Sequence, residues 1–169
     1  MNFTTNHDEN TWSGTVYERL GNLEEPFSIL ISTATGMPLI YSGQESGLNK
    51  RLEFFEKNII PWKEHKARKI ITKILNEKKR NKAMWNRAKG GSTNFIDIPN
   101  EQNILAFYRE NEKHKIIVLL NLSDNQKNFE VSNKNLPGNY GNLFNDEKIT
   151  LRKINEFSLP AFGYLVLVN

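Results

Sequence analysis

The first half of the chain places short apolar runs beside a helix-spaced pattern. Residues 1–5 (MNFTT) form a short strand candidate, and residues 37–41 (MPLIY) are wholly apolar, as in a buried parallel strand. Between them, residues 26–35 carry apolar side chains at helix spacing, namely Phe27, Leu30, Ile31 and Ala34. Pro26 suits the first turn of this helix, and Gly36 suits its end. The order strand, helix, strand predicts part of an α/β sheet or barrel.

A second and stronger helix is predicted from Trp62 to about Asn81. Its apolar stripe is surrounded by lysines and arginines and consists of Ile70, Ile71, Ile74 and Leu75. Residues 11–21, with Gly14 and Gly21 as breakers, are predicted to be a loop, residues 42–47 a turn, and residues 48–61 irregular. Gly90, Gly91 and Ser92 then mark a boundary.

The pattern changes after this boundary to short strands separated by turns. The candidates are residues 104–109, 115–121, 128–131, 148–151 and 164–168. Turns are predicted at 124–125, 137–138 and 145–146. No helical pattern intervenes, which favours an antiparallel β-sandwich. The chain is therefore predicted to be α+β, with a βα piece over residues 1–88 and an all-β module over residues 89–169.

Charge is concentrated in one segment of an otherwise slightly acidic chain. Residues 63–89 hold eleven Lys or Arg against two Glu, while the 169-residue chain has a net charge of only +4. A basic helix of this kind could follow a phosphate backbone. Its apolar stripe must face a core, however, which favours a solvated outer helix over a nucleic-acid site. The chain has no cysteine, which excludes disulfides and thiolate metal sites, and no apolar run of the roughly 18–20 residues that cross a membrane.

Two motifs carry a resemblance to a known family. FTTNHDEN at residues 3–10, followed by GMPLIYSGQE at residues 36–45, resembles the last two strand motifs of the α-amylase family of glycoside hydrolases. FFEKNIIPW, the basic helix, AMWN and the closing LPAFGYLVLV are similar to the segments that come after the barrel in that family. The resemblance implies strands seven and eight of a (β/α)₈ barrel with their helices, followed by a C-terminal β domain.

The same resemblance implies a retaining enzyme that cleaves α-1,4 bonds in starch, glycogen or maltooligosaccharides. Such chemistry needs a carboxylate nucleophile and a second carboxyl group that alternates between acid and base, about 5–5.5 Å apart. In the family these groups come from strands four and five, and a complete barrel takes about 250 residues. Neither motif is found in this chain. We therefore expect the chain alone to bind sugar poorly and to hydrolyse nothing.

Residue by residue, the resemblance gives Asp8 the role of the family's third carboxylate, which stabilises the transition state. His7 matches the histidine that hydrogen-bonds the same sugar. Asn6 completes this substrate-binding motif, although a role in holding the loop is favoured for it. Without the resemblance, an Asp that satisfies loop donors and a solvated His would be the ordinary interpretations.

Gln44 and Glu45 match the end of the strand-eight motif, where the family uses them as support. A catalytic pair of Asp8 with Glu45 is disfavoured because the chemistry needs a defined separation. Among Trp12, Tyr17 and Tyr41, only Trp12 is expected near a glucan subsite. The aromatic residues of the β half are expected to pack in a core, and these are Phe107, Tyr108, Phe129, Phe144, Phe157, Phe162 and Tyr164.

No cofactor is expected, and no metal, since His7, His65 and His114 lack ligand spacing. The resemblance implies that the family's structural calcium is held by segments absent here. The expected partner is an α-glucan, not nucleic acid or membrane, and self-association through exposed barrel edges is left open. Two alternatives remain: a carbohydrate-binding or interaction module in which the β-sandwich is the working part, and a basic helix that binds nucleic acid.

Overall fold

The computed structural model describes all 169 residues and consists mainly of antiparallel β-sheet. Eight strands make a six-stranded sheet, in the order β1-β2-β3-β8-β5-β6, and a separate two-stranded sheet of β4 and β7. The strands are β1 Asn94–Ile96, β2 Ile104–Asn111, β3 His114–Asn121, β4 Lys127–Ser132, β5 Gly138–Asn142, β6 Lys148–Leu151, β7 Ile154–Leu159 and β8 Tyr164–Val168. The predicted antiparallel sandwich is thus confirmed.

Three α-helices precede the sheets. They are α1 Val16–Leu20, α2 Glu24–Thr33 and α3 Lys66–Arg80, joined by π- and 3₁₀-helical turns and by irregular segments. Helix α3 begins where the His65 Nδ1 atom accepts the Ala67 amide at 3.3 Å. Its buried face consists of Ala67, Ile70, Ile71, Ile74 and Glu77. Three members of the predicted stripe are therefore buried, and Leu75 is half-buried.

The central strands β2 and β3 are covered on both faces. One face, with Ala106, Tyr108, Ile117 and Leu119, packs in a core with Phe129 and Val131 of the small sheet. The opposite face packs in a second core, made by Phe107, Ile116, Val118 and Leu120 of the sheet and by Ile29, Ile70, Ile74 and Met84. Double burial explains why residues 116–120 are apolar throughout, whereas one-sided strands alternate. The molecule is therefore layered, with helices, large sheet and small sheet in turn.

The first residues differ from the prediction. Residues 1–5 and 37–41 do not form regular strands, and they meet only at one parallel bridge between Asn2 and Pro38. The Asn2 amide donates to Met37 O and the Leu39 amide donates to Asn2 O, both at 2.8 Å. The pairing does not extend beyond these two bonds, so neither segment is a regular strand. The structure accordingly shows no barrel strand in this region.

Several local predictions need correction. Residues 11–21 are not a loop, because a π-helical turn spans Glu9–Ser13 and α1 follows it. Thr15 and Glu18 form a capping box that starts α1, a signal that the two glycines obscured. Helix α2 begins at Glu24 and ends at Thr33, earlier than Gly36 suggested.

The buried face of α2 is also not the predicted one. Its buried residues include Pro26, Ser28, Ile29, Ser32 and Thr33, whereas the stripe of Phe27, Leu30, Ile31 and Ala34 is half-buried.

Strands β1, β5 and β7 were missed. Strand β1 has three residues, β5 (GNYGN) is rich in Gly and Asn, and three of the six residues of β7 (INEFSL) are polar. Such residues are depleted in strands, and pairing with neighbours overrides that preference here. The other five strands lie within two residues of their predicted bounds, and residues 48–61 are irregular as predicted.

Most cations of the basic segment have protein partners. Lys66 pairs with Glu25, Arg80 Nη2 lies 2.6 Å from Glu77 Oε2, and Lys82 Nζ lies 2.7 Å from Glu112 Oε2. Lys73 and Lys78 donate to the carbonyls of Phe144 and Met84. The segment is thus the outer face of a packed helix, which favours the interpretation preferred from sequence. No helix has both the length and the apolar character needed to traverse a bilayer.

A fully buried arginine joins the helices to the sheet. The Arg109 side chain, on β2, donates to five backbone carbonyls at 2.6–3.3 Å, those of Gly91, Thr33, Ala34, Met84 and Trp85. Thr33 and Ala34 close α2, so their carbonyls carry the negative end of the helix dipole. Burial lowers the pKa of Arg109 to about 10, and the guanidinium remains charged at neutral pH.

We expect Arg109→Met to lower the free energy of unfolding by at least about 3 kcal/mol, because several buried carbonyls lose their donors. The measurement is urea denaturation followed by circular dichroism. Arg152→Met removes an exposed arginine and should change stability by less than about 0.5 kcal/mol. Equal effects of the two substitutions would contradict the assigned role of Arg109.

Lys78 should make stability depend on pH. Burial, aided by the charge of Arg109, lowers the pKa of Lys78 from 10.5 to about 8. Between these values the unfolded chain holds a proton that the folded chain has released, so the free energy of unfolding should rise with pH. Lys78→Met should remove this contribution.

The informative quantity is the stability difference between wild type and Lys78→Met, measured by urea denaturation at pH 7.0 and 9.5. At pH 9.5 the free energy of unfolding of the wild type, relative to that of Lys78→Met, should be higher than at pH 7.0. The difference isolates Lys78 from Tyr17, whose pKa burial raises to about 12 and which acts in the opposite direction above pH 10. A difference that is constant with pH would contradict the assignment.

Candidate functional site

The NHD motif directly follows the point where the first residues pair with Pro38. Asn6 Oδ1 accepts the Glu9 amide at 2.7 Å, and Asn6 O accepts the Asn10 amide at 2.9 Å. Asn6 therefore begins the π-helical turn Glu9–Ser13, in agreement with the loop-holding role favoured from sequence. These bonds fix the backbone on which the next two residues are carried.

His7 and Asp8 lie together at the surface. The Nε2 atom of His7 is 3.4 Å from Oδ2 of Asp8, and their side chains are 65% and 60% exposed. Their polar atoms are therefore accessible to a hydroxyl-bearing ligand. The pair offers a carboxylate acceptor beside an imidazole that can donate or accept.

The Arg19 side chain binds the backbone on both sides of this segment. Its Nη2 atom donates to Thr4 O at 2.6 Å, its Nε atom donates to Gly14 O at 3.1 Å, and Nη1 lies 3.5 Å from Glu9 Oε2. Gly14 has φ +123°, a conformation that favours glycine. The arginine thus joins both ends of the turn that carries His7 and Asp8.

Gln44 is a buried supporting residue. Its Nε2 atom donates to Thr4 Oγ1 at 3.0 Å and to Ser28 Oγ at 3.3 Å, while its Oε1 atom accepts the Tyr41 amide at 3.3 Å. It therefore ties the start of the chain to α2 and to its own turn. The contacts agree with the supporting role that the resemblance implied.

Glu45 is half-buried, and its Oε2 atom is buried without a hydrogen-bond partner. The Thr5 Oγ1 and Ser46 Oγ atoms are likewise buried without a hydrogen-bond partner. Glu45 thus lies in the same turn as Gln44, and its buried oxygen makes no hydrogen bond to Asp8.

Trp12 lies beside an aromatic cluster that sequence reasoning did not assign to the site. The ring of Phe54 is 5.7 Å from Trp12 and 5.6 Å from His7, and Phe55 is 4.8 Å from Phe54. Trp12, Phe54 and Phe55 are 64%, 40% and 86% exposed. In the sequence, the sign of this cluster is the pair Phe54 and Phe55 in an irregular segment. The pair opens FFEKNIIPW, which contributed only to the family resemblance.

The segment that carries Phe54 and Phe55 is fastened to the π-helical turn. The Leu52 amide donates to Asn10 Oδ1 at 2.7 Å, and Asn10 Nδ2 donates to Lys50 O at 3.1 Å. Thr11 Oγ1 donates to Leu52 O at 2.7 Å. These three bonds place the two phenylalanines next to the motif although about forty residues separate them in sequence.

The remaining candidate residues are structural in their contacts. His65 caps α3, and no group of three or more His, Cys, Asp or Glu side chains is arranged to hold a metal ion. In the β half, Phe107, Tyr108 and Phe129 are buried in the core as expected. Phe95, on β1, is 66% exposed and lies 6.0 Å from Phe107.

Residues 93–166 match the family described as the maltogenic amylase C-terminal domain. "Alpha-amylase 2" of Dictyoglomus thermophilum is 27% identical over 181 residues, covering 99% of this chain and 29% of that protein. The maltogenic α-amylase of Bacillus acidopullulyticus is 25% identical over 155 residues, covering 89% of this chain and 26% of its own length. The chain thus spans less than a third of these curated relatives.

Solved structures share the fold. A noncanonic maltogenic α-amylase, AmyB from Thermotoga neapolitana, superposes with a TM-score of 0.82 at 19% identity, over 100% of this chain and 41% of that one. CldA, a cyclomaltodextrin glucanotransferase with a three-domain ABC distribution, gives 0.71 at 17% identity, over 99% and 36%. The whole length of the chain therefore has a counterpart in a larger fold.

We expect Asn10→Ala to loosen the segment that carries Phe54 and Phe55, because the Leu52 amide loses its acceptor. Hydrogen exchange of that amide should accelerate by about tenfold or more. The Ile117 amide in the central sheet should be unchanged, and Asn22→Ala, at an exposed asparagine, should affect neither. Unaltered exchange at Leu52 would show that Asn10 does not hold the segment.

Proposed function

We propose, from the premise that this chain is the C-terminal part of an α-amylase family glycoside hydrolase, that it supplies sugar-binding groups to a retaining enzyme acting on α-1,4-glucans. The observation that carries the proposal is the exposed His7–Asp8 pair, whose His7 ring contacts the same Phe54 ring as the exposed Trp12. The relatives are named α-amylases or maltogenic amylases, and a glucan is the substrate that those names imply.

Asp8 is proposed to stabilise the transition state. A hydrogen bond from a sugar hydroxyl to its carboxylate would strengthen as positive charge develops on the ring. His7 is proposed to bind the same sugar, and Trp12 to contact it through its exposed face. Asn6, Gln44 and Glu45 are proposed to support this arrangement, and the contacts of Asn6 and Gln44 favour that role.

The chain is proposed to divide into a barrel end, residues 1–88, and a C-terminal β domain, residues 89–169. The family match that begins at residue 93 supports the second part. The parallel bridge between Asn2 and Pro38, with α2 in the connection between them, supports strands seven and eight of a barrel.

An apolar surface accompanies the proposed barrel end. Met1, Phe3 and Met37 are 76%, 42% and 60% exposed around the bridge. Neighbouring barrel strands would cover this surface in a complete barrel. In the chain by itself, we propose that it favours self-association.

Catalysis is proposed to need groups outside this chain. The retaining reaction requires a nucleophile and an acid/base group about 5–5.5 Å apart, and the family motifs for both were not found in the sequence. Asp8 would then assist a reaction that it does not perform.

Purified chain incubated with soluble starch should release no reducing ends above the blank, while an active α-amylase assayed in parallel should release them. A slow release that Asp8→Ala abolishes would contradict the proposed inactivity. A release that Asp8→Ala leaves unchanged would identify contamination by another amylase.

A further inference from the structure

Three exposed aromatic side chains extend the surface next to the His7–Asp8 pair. We call Trp12, Phe54 and Phe55 the aromatic surface. The Phe54 ring contacts all of its neighbours here, since its centroid lies 5.7 Å from that of Trp12, 5.6 Å from that of His7 and 4.8 Å from that of Phe55. A contiguous exposed apolar patch with polar groups at its rim is a typical feature of a ligand-binding or interaction site.

The aromatic surface is held in place rather than displayed on a loose loop. Asn10 and Thr11 fasten Leu52, which is itself buried, at the base of the segment. Asn58 closes the segment above it, because its side chain accepts the Glu53 amide at 3.3 Å and donates to Glu53 O and Glu56 O at 2.9 and 3.0 Å. The two phenylalanines lie within this closed turn, so little ordering is required when a ligand binds.

The chemistry of the surface fits a sugar better than an apolar protein segment. A pyranose ring has an apolar C–H face that can lie on an aromatic ring and a rim of hydroxyl groups that need hydrogen-bond partners. The aromatic surface can contact the apolar face of the sugar. The exposed polar atoms of His7 and Asp8 beside it can form hydrogen bonds with the hydroxyl groups. An apolar segment would leave the Asp8 carboxylate without a partner, at a cost in desolvation.

We propose that Phe54 is a sugar-stacking residue, and that Phe55 extends the contact to the next ring of the chain. This inference rests on the proposed function, which places one glucose unit at His7 and Asp8. Because the aromatic surface adds the rings of Phe54 and Phe55 to the polar groups of His7 and Asp8, the site takes a maltooligosaccharide in preference to a single glucose. Asn10 and Asn58 are positioning residues, since they act through the backbone that carries the two rings.

The test is a titration of the full chain with maltoheptaose, followed by ¹H–¹⁵N NMR, with glucose as the short ligand. Wild type should bind maltoheptaose with a Kd of about 1 mM or weaker, and glucose more weakly still. Phe54→Ala should weaken maltoheptaose binding about fivefold or more, and Phe55→Ala less, because Phe54 contacts the rings of His7, Trp12 and Phe55, whereas the ring contact of Phe55 is with Phe54.

The matched control is Phe95→Ala, which removes a phenylalanine on β1 whose exposure of 66% lies between those of Phe54 and Phe55, and it should leave the Kd unchanged. Unchanged thermal unfolding of Phe54→Ala would show that the variant is folded. Asn58→Ala should also weaken binding, whereas a merely structural Asn58 would lower thermal stability without changing the Kd.

Asp8→Asn separates the two claims. Loss of binding in Asp8→Asn with a wild-type Kd in Phe54→Ala overturns the stacking role while the proposed function stands. The reverse result supports the aromatic surface as a sugar site and overturns the ground-state contact between a glucose unit and Asp8. Absence of binding by wild type, or equal weakening by Phe95→Ala, overturns the inference. Shifts confined to residues 89–169 would also overturn it and would favour the β domain as the binding module.

Discussion

The arrangement of the helices on the sheet depends on one buried cation whose partners are all backbone carbonyls. From strand β2, the Arg109 guanidinium donates hydrogen bonds to the end of α2, to the turn after α3 and to the linker at Gly91. An arginine suits this role because its five N–H groups form a fixed fork and stay protonated. Burial of a charge is costly, and here the negative end of a helix offsets part of that cost. The helices and the sheet are consequently held in one relative position.

The two apolar cores lie on opposite faces of the large sheet. Helices α2 and α3 pack on the outer face of the large sheet through Ile29, Ile70 and Ile74, while the small sheet covers the other face. Glu25 adds a polar link, since it accepts the Tyr164 hydroxyl of β8 at 2.6 Å and pairs with Lys66. The second core therefore contains residues from both sides of the proposed boundary at residues 88–89. Apolar side chains of each part are buried against the other part.

The candidate site uses a different principle. Its residues are placed by hydrogen bonds between polar side chains and backbone: Asn6 begins the turn, Arg19 closes it, and Asn10 fastens the distant segment to it. Such bonds are directional, so they fix an exposed surface that no apolar core surrounds. The surface around His7 is thus ordered by its own local network of hydrogen bonds.

The sequence by itself determined the class of the elements. Apolar runs such as residues 116–120 and the stripe of Ile70, Ile71 and Ile74 predicted the central strand and the basic helix, because burial imposes those periods directly. The motif at residues 6–8, through its resemblance, predicted a sugar-contacting role for His7 and Asp8, and that role stays a prediction.

Only the tertiary structure decided which segments meet. Phe54 reaches His7 through bonds to Asn10, and Arg109 reaches Thr33 across 76 residues. Strands β5 and β7, with their Gly, Asn and polar residues, form because neighbours pair with them. Local periodicity records how a segment is buried, but not which distant backbone group satisfies a given side chain, and that choice is made when the chain packs.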